Sequence, residues 1–279
     1  MNEECVDLNS DKMFIEIKIG NATLIREFED INDKKLYYAN QCIEDGDKSQ
    51  GLAIIEELAN NGYAPAQDRL AGIYLLENKN DHNYIQKALK LYHLSASQGD
   101  EDAIYHLGIL YTTDEFIEKD LYKAEYWLLK SAEKDRAGMY QLGRLYFSKE
   151  SPMYDKEKGL KYLEEAASWE DEDAMVFLGG LYYYGEEVKQ DYQKAAHYLD
   201  IPAYCWGNNA AQLMLGTIYY YGLGMKKDEK MALLAFQEAA NDGVEIAKEY
   251  VKKIKKTRAK KFFCYCILLF IFLKFLFLF

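Results

Sequence analysis

The stretches AIYHLGILY at residues 103–111 and YKAEYWLLKSA at residues 122–132 decide the fold of this 279-residue chain. In the first stretch, Ala103, Leu107 and Tyr111 recur every fourth residue, so all three lie on one face of a helix. The second stretch has small residues at Ala124 and Ala132, with large apolar residues between them. Each stretch predicts a helix with one apolar face, and together they predict a helix pair.

The same pattern recurs along the chain at intervals of about 36 residues. The small, leucine and tyrosine positions of the predicted first helix are Ala66, Leu70 and Tyr74; Ala103, Leu107 and Tyr111; Gly138, Leu142 and Tyr146; Ala174, Leu178 and Tyr182; and Ala211, Leu215 and Tyr219. One helix pair cannot bury its apolar face alone, but stacked pairs can. The repeat therefore predicts an all-α solenoid of helix-turn-helix units.

These residues resemble the Sel1-like repeat, a relative of the tetratricopeptide repeat. Its pattern runs A-x-x-x-L-G-x-x-Y, a glycine-containing loop, then K-A-x-x-W/Y and A-A, and AQLMLGTIYYYGLG at 211–224 follows the first half closely. Two departures, Ala71 for glycine and Gly138 for alanine, are small enough for packing to absorb. Pro202 is more disruptive, because proline inside a second helix removes a hydrogen-bond donor and predicts a kink or an early stop.

The resemblance implies a non-enzymatic protein that binds partners. The best-known eukaryotic members of the family act as scaffolds of membrane ubiquitin ligases, and many bacterial and viral members are signalling or host-interaction factors. We therefore expect a scaffold or adaptor for a partner protein or peptide. The alternatives are a host-interaction or signalling factor of a bacterium or virus, a purely structural membrane-surface protein, and an enzyme with an unrecognised site.

The repeat spacing also predicts how the chain is divided. FIEIKI at 14–19 alternates apolar and polar residues as a strand does, and Gly20-Asn21 could form a turn. The predicted segments are 1–30, an extension with a strand or hairpin; 31–65, a degenerate first repeat; 66–246, five Sel1-like repeats; 247–261, a capping helix and basic juxtamembrane segment; and 262–279, a transmembrane tail.

By analogy with tetratricopeptide arrays, the first helices are expected to line a partner-binding groove. Tyrosine and arginine are enriched among the residues that contribute most to interfaces. The predicted groove residues are Tyr105, Tyr140, Arg144, Phe147, Tyr183 and Tyr220. The alternative is that these aromatic side chains pack between neighbouring repeats.

Composition and motifs favour binding over catalysis. The net charge of −12 argues against a nucleic-acid partner. The five cysteines and four histidines show no zinc spacing, and no nucleophile or phosphate-loop motif occurs in its required setting. We therefore expect no catalytic residue, no metal and no cofactor.

The apolar run FFCYCILLFIFLKFLFLF at 262–279 contains one charged residue, Lys274. As a helix, its eighteen residues would extend about 27 Å, close to the hydrocarbon thickness of a bilayer. A membrane-surface basic cluster precedes it: Lys252, Lys253, Lys255, Lys256, Arg258, Lys260 and Lys261. Because no secretory signal begins the sequence, we expect a tail-anchored, single-pass protein whose solenoid faces the cytoplasm.

Overall fold

The structure, a computed structural model, describes the backbone of residues 14–19, 22–28 and 30–276, and the side chains of 27, 28 and 30–268. These residues form an α-solenoid, as predicted, preceded by two strands. The elements are β1 Phe14–Ile19, β2 Ala22–Glu27, α1 Ile31–Glu44, α2 Lys48–Asn60, α3 Ala64–Glu77, α4 His82–Ser97, α5 Glu101–Leu110, α6 Leu121–Ala132, α7 Arg136–Phe147, α8 Lys156–Ser168, α9 Glu172–Tyr184, α10 Tyr192–Tyr204, α11 Asn209–Tyr221, α12 Glu229–Asn241 and α13 Glu245–Leu276.

The two strands form an antiparallel hairpin ahead of the helices. Phe14 lies opposite Glu27, and Ile19 lies opposite Ala22. The expected turn at Gly20-Asn21 lies outside the described residues.

Aspartate precedes most of the helices and caps their N-termini. At α5, for example, Asp100 Oδ1 accepts a hydrogen bond from the backbone N–H of Ala103 at 2.9 Å. A carboxylate at this position satisfies an otherwise unpaired N–H and interacts favourably with the helix dipole. The N-terminal caps of this kind are Asp30, Asp47, Asp81, Asp100, Asp120, Asp155, Asp171, Asp191 and Asp228.

In three repeats, the first and second helices approach closely at the glycine that follows the leucine of the first helix: Gly108, Gly179 and Gly216. A Cβ atom added to Gly179 would lie 2.5 Å from Leu199 Cδ2, and one added to Gly216 would lie 2.8 Å from Phe236 Cε1. Leu199 and Phe236 are fully buried. The glycine that follows leucine in the repeat pattern therefore makes room for a large side chain from the second helix.

Pro202 does not stop its helix early, so that part of the sequence prediction is wrong. Helix α10 continues through Pro202 to Tyr204, the repeat position at which α4 and α12 also end. Pro202 is buried and lies in the last helical turn. Because a proline so near the C-terminus disturbs only the last part of the hydrogen-bond ladder, the helix keeps its usual length.

The chain divides into two compact units, Met1–Tyr154 and Asp155–Phe279, which we call unit 1 and unit 2. Each has an apolar core between its helices. One cluster in unit 1 consists of Ala39, Ile55, Leu58, Ala59, Ala66, Leu70 and Ile73. A cluster in unit 2 consists of Ala232, Phe236, Ala239, Ala247, Val251 and Ile254.

Helix α13 packs against α12 through Ala247, Val251 and Ile254 and then continues to Leu276. No helix within the described residues is both long enough and apolar enough to cross a membrane. The transmembrane tail expected over 262–279 lies partly outside the described residues, which end at Leu276.

Candidate partner-binding surface

In unit 1, the first helices α3, α5 and α7 contact one another in sequence. Their packing stripe is buried, and Leu107 and Leu142 have no exposed surface. Two residues before each leucine, Tyr105 and Tyr140 are only partly buried. The side of these helices that carries Tyr105 and Tyr140 is called the first-helix face of unit 1.

A histidine–carboxylate pair joins α3 to α5 on this face. His106 Nδ1 lies 2.8 Å from Asp68 Oδ1. The His106 ring also lies 5.5 Å from the ring of Tyr92 and 5.9 Å from that of Tyr105, between centroids. The hydrogen bond to Asp68 raises the pKa of His106 above its ordinary value, while partial burial of the ring opposes this shift.

Replacing His106 with glutamine is expected to destabilise the chain more at pH 5.5 than at pH 8.5. The folded-state pKa of His106 is raised, so the protonated pair with Asp68 contributes its full stabilisation below the unfolded-state pKa of 6.5. This stabilisation is lost as the pH rises through the folded-state pKa. The His106 side chain is 44% exposed, so we expect screening to limit the effect to about 0.5 kcal/mol. Urea unfolding at both pH values measures it.

The control for this experiment is His197→Gln, which removes an exposed histidine in unit 2. We expect that variant to show no greater deficit at low pH. A His106→Gln deficit that is equal at both pH values would contradict a stabilising charge interaction with Asp68.

The remaining predicted residues of unit 1 have different environments. The Arg144 guanidinium is exposed and lies 5.5 Å from the centroid of the Tyr140 ring. Phe147 is only 8% exposed and is one of the buried residues of α7. The structure therefore places Tyr105, Tyr140 and Arg144 where a partner could reach them, and buries Phe147.

In unit 2, the corresponding face carries Tyr183 on α9 and Tyr220 on α11. Tyr183 packs edge-on against Tyr184 and Tyr192, with ring centroids 4.9 and 5.7 Å away. Burial raises the pKa of Tyr183 above its ordinary value. A Cβ atom added to neighbouring Gly180 would meet nothing within 4 Å, so the surface beside Tyr183 is open.

Two lysines and another tyrosine surround Tyr220. Lys227 Nζ and Lys253 Nζ lie 4.8 and 5.5 Å from the centroid of the Tyr220 ring. The ring of Tyr250, on α13, packs 5.5 Å from that of Tyr220, and its hydroxyl lies 3.5 Å from the hydroxyl of Tyr221. The interaction with Tyr221 raises the pKa of Tyr250 to about 12.

The repeat pattern did not reveal that Tyr250 and Lys253 belong to this face. Tyr250 stacks on Phe236, 4.4 Å between centroids, which brings the start of α13 beside α11 and α12. The sequence analysis placed Lys253 only in the basic cluster ahead of the tail. The signal that could have located it is the spacing of Lys253 from Thr217, which equals one repeat and aligns α13 with the first helices.

Part of the predicted basic cluster also interacts with the solenoid. Arg258 Nη2 donates a hydrogen bond to the backbone oxygen of Glu229 at 2.7 Å, and Lys261 Nζ lies 3.3 Å from Glu229 Oε1. The rest of the cluster lies along the exposed side of α13: Lys252, Lys253, Lys255, Lys256 and Lys260.

The chemistry available on both faces is that of recognition. Tyrosine hydroxyls, two lysines, an arginine and a histidine–aspartate pair provide hydrogen bonds and charge around aromatic rings. Among the side chains that the structure describes, no three histidine, cysteine, aspartate or glutamate residues form a group able to hold a metal ion. Stacked helix pairs of this kind define a helical-repeat protein, an architecture that presents an extended surface.

The chain belongs to the Sel1 repeat family. The repeat matches residues 64–100, 101–135, 136–168, 172–201 and 209–244, which together make up more than half of the sequence. Sel1-repeat proteins form a family of non-enzymatic scaffolds that mediate protein–protein interactions. Helices α1 and α2 precede the matched residues.

Relatives share the fold over most of the described chain. A uropathogenic Escherichia coli protective antigen, c5321, is 30% identical with a TM-score of 0.66, covering 81% of this chain and 49% of that one. A Sel1 repeat protein from Oxalobacter formigenes is 22% identical with a TM-score of 0.64, covering 81% of this chain and 99% of that one. DAP3-binding cell death enhancer 1 of Rattus norvegicus is 31% identical over 90 residues, which are 32% of this chain and 17% of that protein.

Proposed function

We propose that this protein is a membrane-attached scaffold that binds a partner protein through its first-helix faces. The main support for the proposal is a difference in solvent exposure between neighbouring positions of the first helices. Leu107, Leu142, Leu178 and Leu215 have no exposed surface, whereas the tyrosines beside this stripe remain accessible. Partly exposed tyrosines held by a helix give contact area at a low cost in conformational entropy.

The family supports this scaffold function, and the names of two relatives suggest its possible settings. The rat relative is named for binding DAP3, and the E. coli relative is described as a protective antigen. A host-interaction or signalling factor would bind its partner through the same faces that a scaffold of a cellular complex would use. A purely structural membrane-surface protein or an enzyme would not need them.

Site-specific photo-cross-linking tests the partner-binding proposal. A photoreactive phenylalanine analogue replaces Tyr105 or Tyr140 in the full chain, which is then irradiated in extract from the source cells. We expect discrete cross-linked protein adducts, because these side chains would contact the partner. The matched control is Tyr122 on the second helix α6, which is 67% exposed and therefore more accessible. Equal labelling from Tyr122, or none from Tyr105 and Tyr140, would count against a binding face.

The membrane part of the proposal depends on the end of α13. Phe262, Phe263, Tyr265 and Leu268 are each at least 65% exposed, an unusual concentration of large apolar side chains in contact with solvent. Seven basic residues between 252 and 261 precede them. We infer that 262–279 inserts into a bilayer as a single pass, and that the basic cluster keeps the solenoid on the cytoplasmic side.

Carbonate extraction of membranes tests the attachment. We expect the full chain to stay in the membrane pellet at high pH, and a chain ending at Lys261 to move into the supernatant, because the truncation removes every residue of the apolar run. Replacing Lys260 and Lys261 with glutamine in the full chain is the control, since this changes charge and leaves the run intact. Extraction of the full chain would show that the tail lies on the surface or packs against protein.

A further inference from the structure

Unit 2 presents a connected group of aromatic and basic side chains that we call the tyrosine–lysine face: Tyr183, Tyr220, Tyr221, Tyr250, Lys227 and Lys253. The first helices α9 and α11 contribute its members Tyr183, Tyr220 and Tyr221. Lys227 comes from the loop between α11 and α12, and Tyr250 and Lys253 come from α13. The rings of Tyr220 and Tyr250 lie 5.5 Å apart, and Lys253 Nζ lies 5.5 and 6.0 Å from their centroids. These contacts position the side chains of the face in the absence of a partner.

The distribution of donors on this face determines what it can bind. Lys227 and Lys253 are both positioned against the Tyr220 ring, so that ring already interacts with cations of the chain itself. A cationic partner would lose this aromatic surface and would meet two ammonium groups. The ammonium groups and tyrosine hydroxyls instead offer donors, which an anionic partner can accept.

One acid beside this face, Glu229, is already paired with lysines of the chain. Glu229 Oε1 lies 3.3 Å from Lys227 Nζ and also 3.3 Å from Lys261 Nζ, so one carboxylate serves two cations. Lys253 Nζ is placed over the Tyr220 and Tyr250 rings. Lys252, Lys255 and Lys256, next to Lys253 on the exposed side of α13, add positive charge within a chain whose net charge is −12. An acidic partner segment would be attracted here and repelled by most of the remaining surface.

We propose that the tyrosine–lysine face binds an acidic peptide segment of the partner protein. The carboxylates of the segment pair with Lys253 and Lys227, and an apolar side chain between them packs beside Tyr183, where Gly180 leaves the surface open. The proposal rests on the scaffold function above and adds the chemical class of the partner segment.

Selection from a library of random twelve-residue peptides, displayed on phage and panned against the full chain in detergent, tests this proposal. We expect the selected peptides to contain at least twice the aspartate and glutamate of the unselected library. The strongest peptide, labelled with fluorescein, is then titrated by fluorescence polarisation. We expect Lys253→Glu to raise its Kd at least tenfold, and raising the salt concentration to weaken binding.

Two further variants distinguish the effect of charge on peptide binding from the effects of surface shape and of folding. Gly180→Trp fills the open surface beside Tyr183 without meeting a neighbour at its Cβ, so it should weaken binding at least tenfold while circular dichroism stays unchanged. Lys161→Glu changes the net charge by the same amount as Lys253→Glu, on the exposed side of α8, and should leave the Kd within twofold.

The outcomes distinguish this inference from the scaffold function. Selected peptides without acidic enrichment, whose binding Gly180→Trp still weakens, would overturn the acidic-segment inference and leave the scaffold function standing. Peptide binding that neither variant alters would overturn the assignment of this face. If Lys253→Glu instead reduces binding to phosphatidylserine vesicles and leaves peptide binding unchanged, Lys253 serves the membrane and the inference is wrong.

Discussion

Replacing Gly138 with alanine is expected to lower the free energy of unfolding by about 1–3 kcal/mol, although the repeat pattern itself favours alanine at this position. Ala66, Ala103, Ala174 and Ala211 occupy the same position in the other repeats, and all are fully buried. At Gly138, however, an added Cβ would lie 2.3 Å from Ser131 Oγ and 2.7 Å from the backbone carbonyl carbon of Ser131. Relieving that clash requires α6 and α7 to move apart.

Gly180→Ala is the control for this experiment, measured by the same urea unfolding. Gly180 lies inside α9 and has open space beside it, so alanine should raise the free energy of unfolding by about 0.5–1 kcal/mol through helix propensity alone. If Gly138→Ala proved as stable as the unchanged chain, α6 and α7 would have room to adjust, and the close approach at Ser131 would not be a structural requirement.

Gly138 also shows where sequence reasoning reached its limit. The spacing of Ala103, Leu107 and Tyr111 was sufficient to predict the helix pairs, because a stripe at helical spacing must be buried in every repeat. The pattern alone could not show whether the packing would accept glycine in place of alanine at residue 138. The distance between α6 and α7 depends on Ser131, a second-helix residue that the stripe does not include.

The candidate surface was only partly predictable for a related reason. Tyr105, Tyr140 and Arg144 are predicted from repeated first-helix positions next to the buried stripe, and the structure leaves them at least partly exposed. Phe147 occupies such a position and is nevertheless buried. Lys253 was assigned to the membrane alone, since its contact with Tyr220 depends on how α13 packs. Helical periodicity gives the side of a helix, whereas burial depends on its neighbours.

The aspartate caps also differ from one another in burial, which the sequence pattern does not show. Aspartate caps most of the helices. The cap of α9, Asp171, is buried, with only 9% of its surface exposed. Its Oδ1 accepts a hydrogen bond from the Ala174 N–H at 2.8 Å. A buried cap should matter more than an exposed one, because water cannot replace the lost acceptor.

Replacing Asp171 with alanine is therefore expected to lower the free energy of unfolding of the full chain by about 1–2 kcal/mol, measured by urea unfolding. The structure provides a matched control in Asp135, which begins α7 without a capping hydrogen bond from its side chain. Asp135→Ala removes the same charge at an equivalent position and should cost less than about 0.5 kcal/mol. Asp171→Asn, which keeps an acceptor oxygen, should recover most of the stability. If both alanine variants lost the same amount, the effect would come from charge near the helix dipole, and the capping hydrogen bond of Asp171 would contribute little.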